Sequence, residues 1–165
     1  MGSFEDILKV HTEEVIDFDR DLNLKKGDSP SITREFKPRI SYDLLSFKDN
    51  EEICFTNSCF VKEDFHIYFE KMIEVSKTKL GDLMDGNTEL DFKIYSGVNK
   101  ALKSIFLSSL GERGYVETIP SFGRIGLYNS SDGSGKAPRI FFALGHQSTL
   151  HILACDPEHK VYNSK

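Results

Sequence analysis

The sequence feature that most constrains the fold is the segment from Arg139 to Asp156, in which two apolar runs flank a short polar turn. The runs RIFFAL and TLHILAC are rich in Ile, Phe and Leu, and GHQS separates them. Two such runs joined by a few turn-forming residues are typical of an antiparallel β-hairpin. The hairpin would place Arg139, at the start of its first strand, opposite Asp156, at the end of its second strand.

Upstream segments extend this pattern into a sheet. The runs YVETI and RIGLYN are separated by PSFG, and the loop SSDGSGKAP leads from the second run to the hairpin. Gly, Ser, Asp and Pro supply the turn geometry, so the pattern predicts an antiparallel meander. Nearer the N-terminus, RISYDLLSF and EEICFTNSCFV lie on either side of the turn KDNE, which predicts a second hairpin.

Helical spacing characterises the middle of the chain. KEDFHIYFEKMIEVSKTKLGDLMD predicts one helix over residues 62–85, ended by DGN, with these apolar and aromatic residues at helical spacing: Phe65, Tyr68, Phe69, Met72, Ile73, Val75 and Leu80. ELDFKIYSGVNKALKSIFLSSLGERG repeats the spacing and predicts a second helix that ends at Gly111. Strands, two helices and then more strands predict an α+β fold, an antiparallel sheet with both helices packed on one face.

The first 38 residues have a different character. SFEDILKVHTEEVIDFDRDL predicts a helix that Ser3 and Asp6 would cap, with apolar or aromatic positions near helical spacing at Phe4, Ile7, Leu8, His11, Val15 and Phe18. NLKKGDSPSITREFKPR combines Gly and Pro with charges and reads as a linker. We therefore predict an N-terminal helical appendage and linker over residues 1–38 and a single α+β domain over residues 39–165.

Composition narrows the functional classes. No apolar run reaches the length of a membrane helix, and the N-terminus lacks the features of a signal peptide, so we expect a cytoplasmic protein. The net charge of -5 argues against a surface that binds nucleic acid throughout, although a local basic patch remains compatible with it. The three cysteines, Cys54, Cys59 and Cys155, stand in apolar contexts that predict structural thiols.

Candidate chemistry is concentrated in the final residues, LHILACDPEHKVYN. Hairpin pairing would bring Arg139, His159 and Tyr162 to one edge of the sheet, a set suited to phosphate or phosphodiester contacts. The alternative is an ion pair between Arg139 and Asp156 that closes the strand ends. A metal site formed by His151, Asp156 and His159 is disfavoured, because five residues of strand span about 16 Å. We therefore predict neither a metal nor a cofactor.

The same residues resemble the C-terminal part of RelE/ParE-type bacterial toxin domains. In that family an Arg-bearing strand is followed by an apolar strand and a short tail with a basic or His residue before a near-terminal Tyr, an order matched by APRIFFAL and STLHILACDPEHKVYN. The resemblance runs roughly from Phe60 to Tyr162 and implies a RelE-like core that cleaves ribosome-bound mRNA without metal. It would make Arg139 the residue that stabilises the scissile phosphate, His159 and Tyr162 the acid and base, and an antitoxin a partner.

The sequence also departs from that family. RelE-type nucleases usually carry basic residues on the strand before the hairpin, whereas this chain has Leu127, Tyr128 and Asn129 there. The net charge of the chain is also negative, which disfavours binding to a nucleic-acid backbone. RNA or ribosome binding would then depend on Arg124, Lys136 and Lys160. The competing hypothesis is a non-enzymatic protein-protein interaction module of a phage, mobile-element or defence system, whose acidic surface and aromatic strands bind another protein.

Overall fold

The computed structural model describes residues 34–45, 53–95, 121–129 and 136–163. The strands are β1 (Arg39–Ser41), β2 (Asp91–Tyr95), β3 (Ser121–Gly126), β4 (Arg139–Leu144) and β5 (Thr149–Asp156), and the helices are α1 (Lys62–Lys77), α2 (Leu80–Asp85) and α3 (Lys160–Asn163). These strands form one sheet in the order β1-β5-β4-β3-β2. Strands β2 to β5 form an antiparallel meander and β1 runs parallel to β5, so the sheet is mixed.

The C-terminal hairpin was predicted closely. β4 has the predicted bounds, and β5 extends one residue further, to Asp156. Arg139 lies opposite Asp156, as the sequence predicts, and the ladder shifts at an irregularity next to Phe141. In the connecting turn, Gln147 and Ser148 have positive φ angles of 52° and 61°. Two successive left-handed residues reverse the chain tightly, which keeps β4 and β5 adjacent.

Both faces of this hairpin are buried, and each belongs to a different apolar cluster. Ile140, Phe142 and Leu144 of β4 pack in one cluster with residues of α1 and α2, namely Tyr68, Met72, Val75, Leu80 and Leu83. Phe141 and Ala143, on the alternate face, pack in the second cluster. Helices α1 and α2 therefore cover one face of the sheet, which agrees with the predicted α+β class.

The predicted helix over residues 62–85 is two helices in the structure. The Thr78 hydroxyl donates a hydrogen bond to the carbonyl of Glu74 at 2.9 Å, and Thr78 itself has an extended backbone. A hydroxyl that binds a carbonyl of the last turn competes with helix continuation, so α1 ends at Lys77. Next, the Leu80 N–H donates to the Phe36 carbonyl at 2.9 Å as α2 begins.

The end of α2 follows the prediction. Gly86 has a left-handed backbone with φ 72°, and the next N–H, from Asn87, donates to the Asp82 carbonyl at 3.0 Å. This pattern is a Schellman-type helix end, which favours glycine because a side chain is strained at that φ. The predicted break at DGN is thus confirmed.

The predicted N-terminal hairpin is wrong where the structure describes it. Residues 53–60 form turns, in which the Asn57 side chain accepts the Cys59 N–H at 2.8 Å. Asn side chains that bind nearby amides favour turns over strands. β1 pairs in parallel with β5 instead, with Arg39 opposite Thr149.

The predicted second helix is also wrong at its beginning. Residues Asp91–Tyr95 form β2, because Phe92 and Ile94 alternate with polar residues and the Phe92 ring stacks on Phe142 at 5.2 Å. The remainder of that predicted helix, the strand YVETI and the predicted N-terminal helix lie outside the described residues. Of the helices that are described, none has the length and apolar character needed to cross a membrane.

Candidate functional site

Arg139 lies in a row of four cross-strand neighbours at one end of the sheet. Asp91, Gly126, Arg139 and Asp156 follow one another across β2, β3, β4 and β5. A Cβ atom on Gly126 would overlap the Asp91 carboxylate, so glycine leaves the space that this carboxylate occupies. One Asp91 oxygen lies 2.6 Å from Arg124 Nη1 and 3.9 Å from Arg139 Nη2. The Asp91 carboxylate therefore forms ion pairs with both guanidinium groups.

The Arg139 side chain is buried and held by internal partners. The residue is only 6% exposed. Its Nη2 donates to the Asn129 side-chain oxygen at 3.0 Å, and its Nη1 lies 3.4 Å from the Tyr128 carbonyl. Burial, together with the nearby charge of Arg124, lowers the pKa of Arg139. Nε has no hydrogen-bond partner among the described residues. A phosphate would therefore find little of this guanidinium accessible.

Asp156 organises the C-terminal tail. Its carboxylate is completely buried and accepts the Lys160 N–H at 2.9 Å and the Val161 N–H at 2.8 Å. These bonds satisfy the first amides of α3, as a helix-capping carboxylate does. His159, just before α3, has a positive φ of 58° at the reversal of the chain. Within the described residues, Asp156 thus closes the strand end with tail amides, and the alternative ion pair with Arg139 is not formed.

Of the predicted catalytic residues, Arg139 and His159 have side chains among the described residues. The tail returns to the edge of the sheet where Arg139 begins β4, and His159 is half-buried. Tyr162 belongs to α3, but its side chain lies outside the described residues. The convergence of the Arg139, His159 and Tyr162 side chains therefore stays a prediction.

The three predicted RNA contacts each lie beside a carboxylate. Arg124 pairs with Asp91, Lys136 Nζ lies 2.5 Å from an oxygen of Asp64, and Lys160 Nζ lies 2.7 Å from an oxygen of Glu158. Internal pairing reduces the positive field that these side chains present to a nucleic-acid backbone, because each charge is neutralised nearby.

The Asp64 pair joins α1 to the residues on either side of the loop between β3 and β4. Asp64 is 2% exposed and accepts hydrogen bonds from Lys136 Nζ and Tyr128 Oη, each at 2.5 Å, and from the Val61 N–H at 2.8 Å. Burial alone would raise the pKa of this carboxyl, but the bonds from Lys136, Tyr128 and Val61 outweigh it and leave the pKa lowered. Lys136 thus stabilises a buried charge of the fold.

A different surface has the character of a binding site. Four apolar side chains recur every four residues along α1 and its N-terminal cap, and we call them the apolar stripe: Val61, Phe65, Phe69 and Ile73, which are 44%, 36%, 57% and 52% exposed. Residues spaced by four lie on one side of a helix. The stripe is therefore a continuous exposed surface about 18 Å long.

Core aromatic rings support this surface from below. The Phe65 ring lies edge-to-face with Phe60 at 4.7 Å between centroids, and the Phe69 ring lies 5.2 Å from that of Tyr68. Tyr68 is buried, and its hydroxyl donates to the Tyr42 hydroxyl at 2.8 Å. Edge-to-face contacts restrict ring orientation. Phe65 and Phe69 are thus held in place before any partner binds.

The sequence prediction placed Phe65, Phe69 and Ile73 at helical spacing together with the residues that are buried, and it did not distinguish an exposed side of the helix. At 100° per residue, the apolar positions from Val75 round to Ile73 cover an arc of about 160°, wider than the roughly 100° that a helix needs to face a core. Tyr68, Met72 and Val75 occupy the buried part of that arc. The width of this apolar arc was therefore the feature of the sequence that indicated an exposed apolar surface.

Comparison with other proteins adds no relative: no family model matches the chain, and no curated protein or solved structure matches it significantly. The RelE-like core and the RelE/ParE resemblance therefore stay predictions. In the part of the chain that the structure describes, no three His, Cys, Asp or Glu side chains group as metal ligands would.

Proposed function

We propose that this protein is a protein-binding module that receives an amphipathic helical segment of a partner on the apolar stripe. The observation that carries the proposal is the exposure of Phe65, Phe69 and Ile73 on a helix that buries Tyr68, Met72 and Val75. Contiguous exposed apolar surface on a folded domain marks interaction sites. Recognition of an amphipathic helix uses apolar anchors spaced by three or four residues, which is the spacing of the stripe.

The area of the stripe indicates the kind of complex. Large side chains at about half exposure offer on the order of 300 Å² of apolar surface, against about 800 Å² for each partner in a standard interface. At roughly 25 cal/mol per Å², this surface contributes several kcal/mol before the costs of association. A reversible complex follows, in which the partner also contacts polar residues beside the stripe.

Those flanking residues carry both signs of charge. Lys62, Glu63, His66 and Glu70 are exposed on the solvent side of α1, and His66 Nε2 lies 3.3 Å from Glu70. Mixed charges next to an apolar centre form the polar rim of ordinary protein interfaces. A partner helix with an apolar face and charges of both signs at its borders fits this surface better than a uniformly charged polymer does.

The test is photo-crosslinking with the full chain in cells. We would place p-benzoylphenylalanine at Phe69 and, as a control outside both the stripe and its polar rim, at Met84, which is exposed on α2. We expect a protein adduct from Phe69 that maps to an amphipathic helix of the partner and disappears when Ile73→Asp is added. The absence of a protein adduct from Phe69, or equal adducts from Phe69 and Met84, would contradict the proposal.

A second candidate function is metal-independent RNA cleavage in the cytoplasm by Arg139, His159 and Tyr162, with an antitoxin as partner. The observation in its favour is the register that sets Arg139 opposite Asp156, where the tail turns back. RNA would have to displace Asn129 and the backbone carbonyls from a buried guanidinium, which disfavours it relative to protein binding.

The nuclease candidate has its own test. Overexpression of the native chain should arrest growth and produce cleaved mRNA, and Arg139→Ala, His159→Ala and Tyr162→Phe should each reduce both effects without unfolding the protein. Harmless overexpression, or toxicity that survives all three substitutions, would exclude this function.

A further inference from the structure

We propose that the chain's own N-terminal segment, Ser3–Asp21, docks on the apolar stripe and competes there with the partner. The docking is an intramolecular contact, and its regulatory meaning rests on the proposed function. Three features indicate that this segment occupies the stripe: the place where the N-terminal residues join the domain, the length of the intervening chain and the apolar pattern of the segment.

The N-terminal residues join the domain beside the C-terminal end of α1. Glu35 accepts an ion-pair hydrogen bond from Lys79 Nζ at 2.7 Å, and the Phe36 carbonyl accepts the Leu80 N–H at 2.9 Å. Lys79 follows the end of α1 by two residues, and Ile73 lies about one turn before that end. Arg34 itself pairs with Asp85 at the end of α2, so the chain that precedes Arg34 starts beside α2, the helix that follows α1.

The intervening chain is long enough to reach every part of the stripe. Twelve residues, 22–33, separate the segment from Arg34. Fully extended, they span up to about 40 Å, whereas the stripe is about 18 Å long. A tether of this length gives an effective concentration in the millimolar range. The small area of the stripe is then sufficient for docking in cis, whereas a second copy of the chain would need about 800 Å² from each partner.

The segment has a matching apolar pattern. Phe4, Ile7, Leu8, Val15 and Phe18 stand near helical spacing, over a length of about 21 Å if the segment is helical. Most charged residues at its other positions are acidic, so the apolar positions are the ones that fit the stripe. A partner can bind only while the segment is not docked, so the apparent affinity for the partner falls in proportion to the fraction of time that the surface is free.

The experiment uses the purified full chain at low concentration with p-benzoylphenylalanine at Phe69, and Met84, exposed on α2 outside the stripe, as the control position. We expect the Phe69 probe to crosslink to residues 3–21 within the same chain. Leu8→Glu should reduce that yield about tenfold, whereas Thr12→Glu, at a polar position of the segment, should leave it nearly unchanged.

The outcomes separate this inference from the proposed function. Crosslinks from Phe69 that join two chains, that fall outside residues 1–33, or that persist equally in Leu8→Glu would overturn docking in cis. Cis crosslinks without any partner adduct in cells would support the docking and contradict the partner-binding function. Partner adducts that increase in Leu8→Glu would support both, and partner adducts without cis crosslinks would overturn the inference alone.

Discussion

The β4–β5 hairpin and helix α1 both bury a charged side chain with internal partners, but they differ in the apolar side chains that they leave exposed. Every residue of β4 is buried, including Arg139, and its charge is met by internal partners. Helix α1 buries Asp64 almost completely and leaves Phe69 57% exposed. For isolated side chains, transfer from water favours the reverse arrangement. The burial of the β4 side chains is therefore explained by the stability of the fold. The exposed apolar side chains of α1 do not contribute to stability in this way, and we attribute them to the proposed function.

The largest loss of unfolding free energy is expected when the buried Asp64 carboxylate is removed. Asp64→Ala leaves Lys136 without its carboxylate and the Tyr128 hydroxyl and Val61 N–H without an acceptor. Because Lys136 keeps some contact with solvent, we expect the lower end of the cost of breaking a buried pair, about 3 kcal/mol. Urea unfolding measures the loss, and Glu63→Ala, at the exposed neighbour, should change stability by less than about 0.5 kcal/mol.

The same carboxylate gives a pH dependence with a defined sign. Because the pKa of Asp64 is lower in the folded chain than in the unfolded chain, its ionisation stabilises the fold at neutral pH, and this contribution is lost as the pH falls below about 4. The difference in unfolding free energy between the native chain and Asp64→Asn should therefore shrink on acidification. A difference that grows below that pH would contradict the assignment.

Arg139→Ala should have the next largest effect. The substitution removes the bonds to Asn129 and the Tyr128 carbonyl and leaves space between β3 and β4, so we expect a loss of about 2 kcal/mol in unfolding free energy. Thermal unfolding followed by circular dichroism measures it. If Arg139→Ala were as stable as the native chain, the internal role of Arg139 would be wrong and the phosphate-binding hypothesis would gain support.

A smaller effect of opposite sign is expected in the hairpin turn. Gln147 is exposed with φ 52°, a conformation that costs a side chain more than it costs glycine. Gln147→Gly should therefore stabilise the chain by about 0.5 kcal/mol after the added entropy of the unfolded chain is included. Gln147→Ala retains a Cβ atom and serves as the matched control, since it should give no gain.

The smallest effect on stability is expected on the stripe. Phe69→Gln removes an exposed ring, so we expect a change below about 0.5 kcal/mol, whereas Met72→Ala, one turn away in the core, should cost about 3 kcal/mol. Both values come from urea unfolding under the same conditions. A loss for Phe69→Gln as large as that for Met72→Ala would place Phe69 in the core and remove the contrast between the two sides of α1.

Local patterns in the sequence predicted several parts of the fold that depend on neighbouring residues, although the local alternation of β2 was read as a helix. The bounds of β4, the pairing of Arg139 with Asp156 and the helix end at Gly86 each follow from apolar runs and turn residues within about 20 positions. The parallel pairing of β1 with β5 joins Arg39 to Thr149, far apart along the chain. Local patterning carries no information about such a partner, so the N-terminal hairpin was predicted in its place.

The candidate site was predicted only in part for a similar reason. The sequence located Arg139 and the tail at one edge of the sheet, but burial and internal hydrogen bonds depend on tertiary packing. The Asp64–Lys136 pair joins residues 72 positions apart and could not be read from spacing. In contrast, the wide apolar arc of α1 was present in the sequence, but periodicity alone does not distinguish exposed from buried residues, so the exposed side was not predicted.

We propose that the apolar stripe binds a helical segment and is not part of the core. The most direct measurement is the set of crosslinks formed by p-benzoylphenylalanine at Phe69 in the full chain, in solution and in cells. The account predicts crosslinks to a defined amphipathic segment, in cis or in a partner, which Ile73→Asp abolishes while the chain stays folded. Crosslinks confined to core neighbours such as Tyr68, or adducts that Ile73→Asp leaves unchanged, would contradict it.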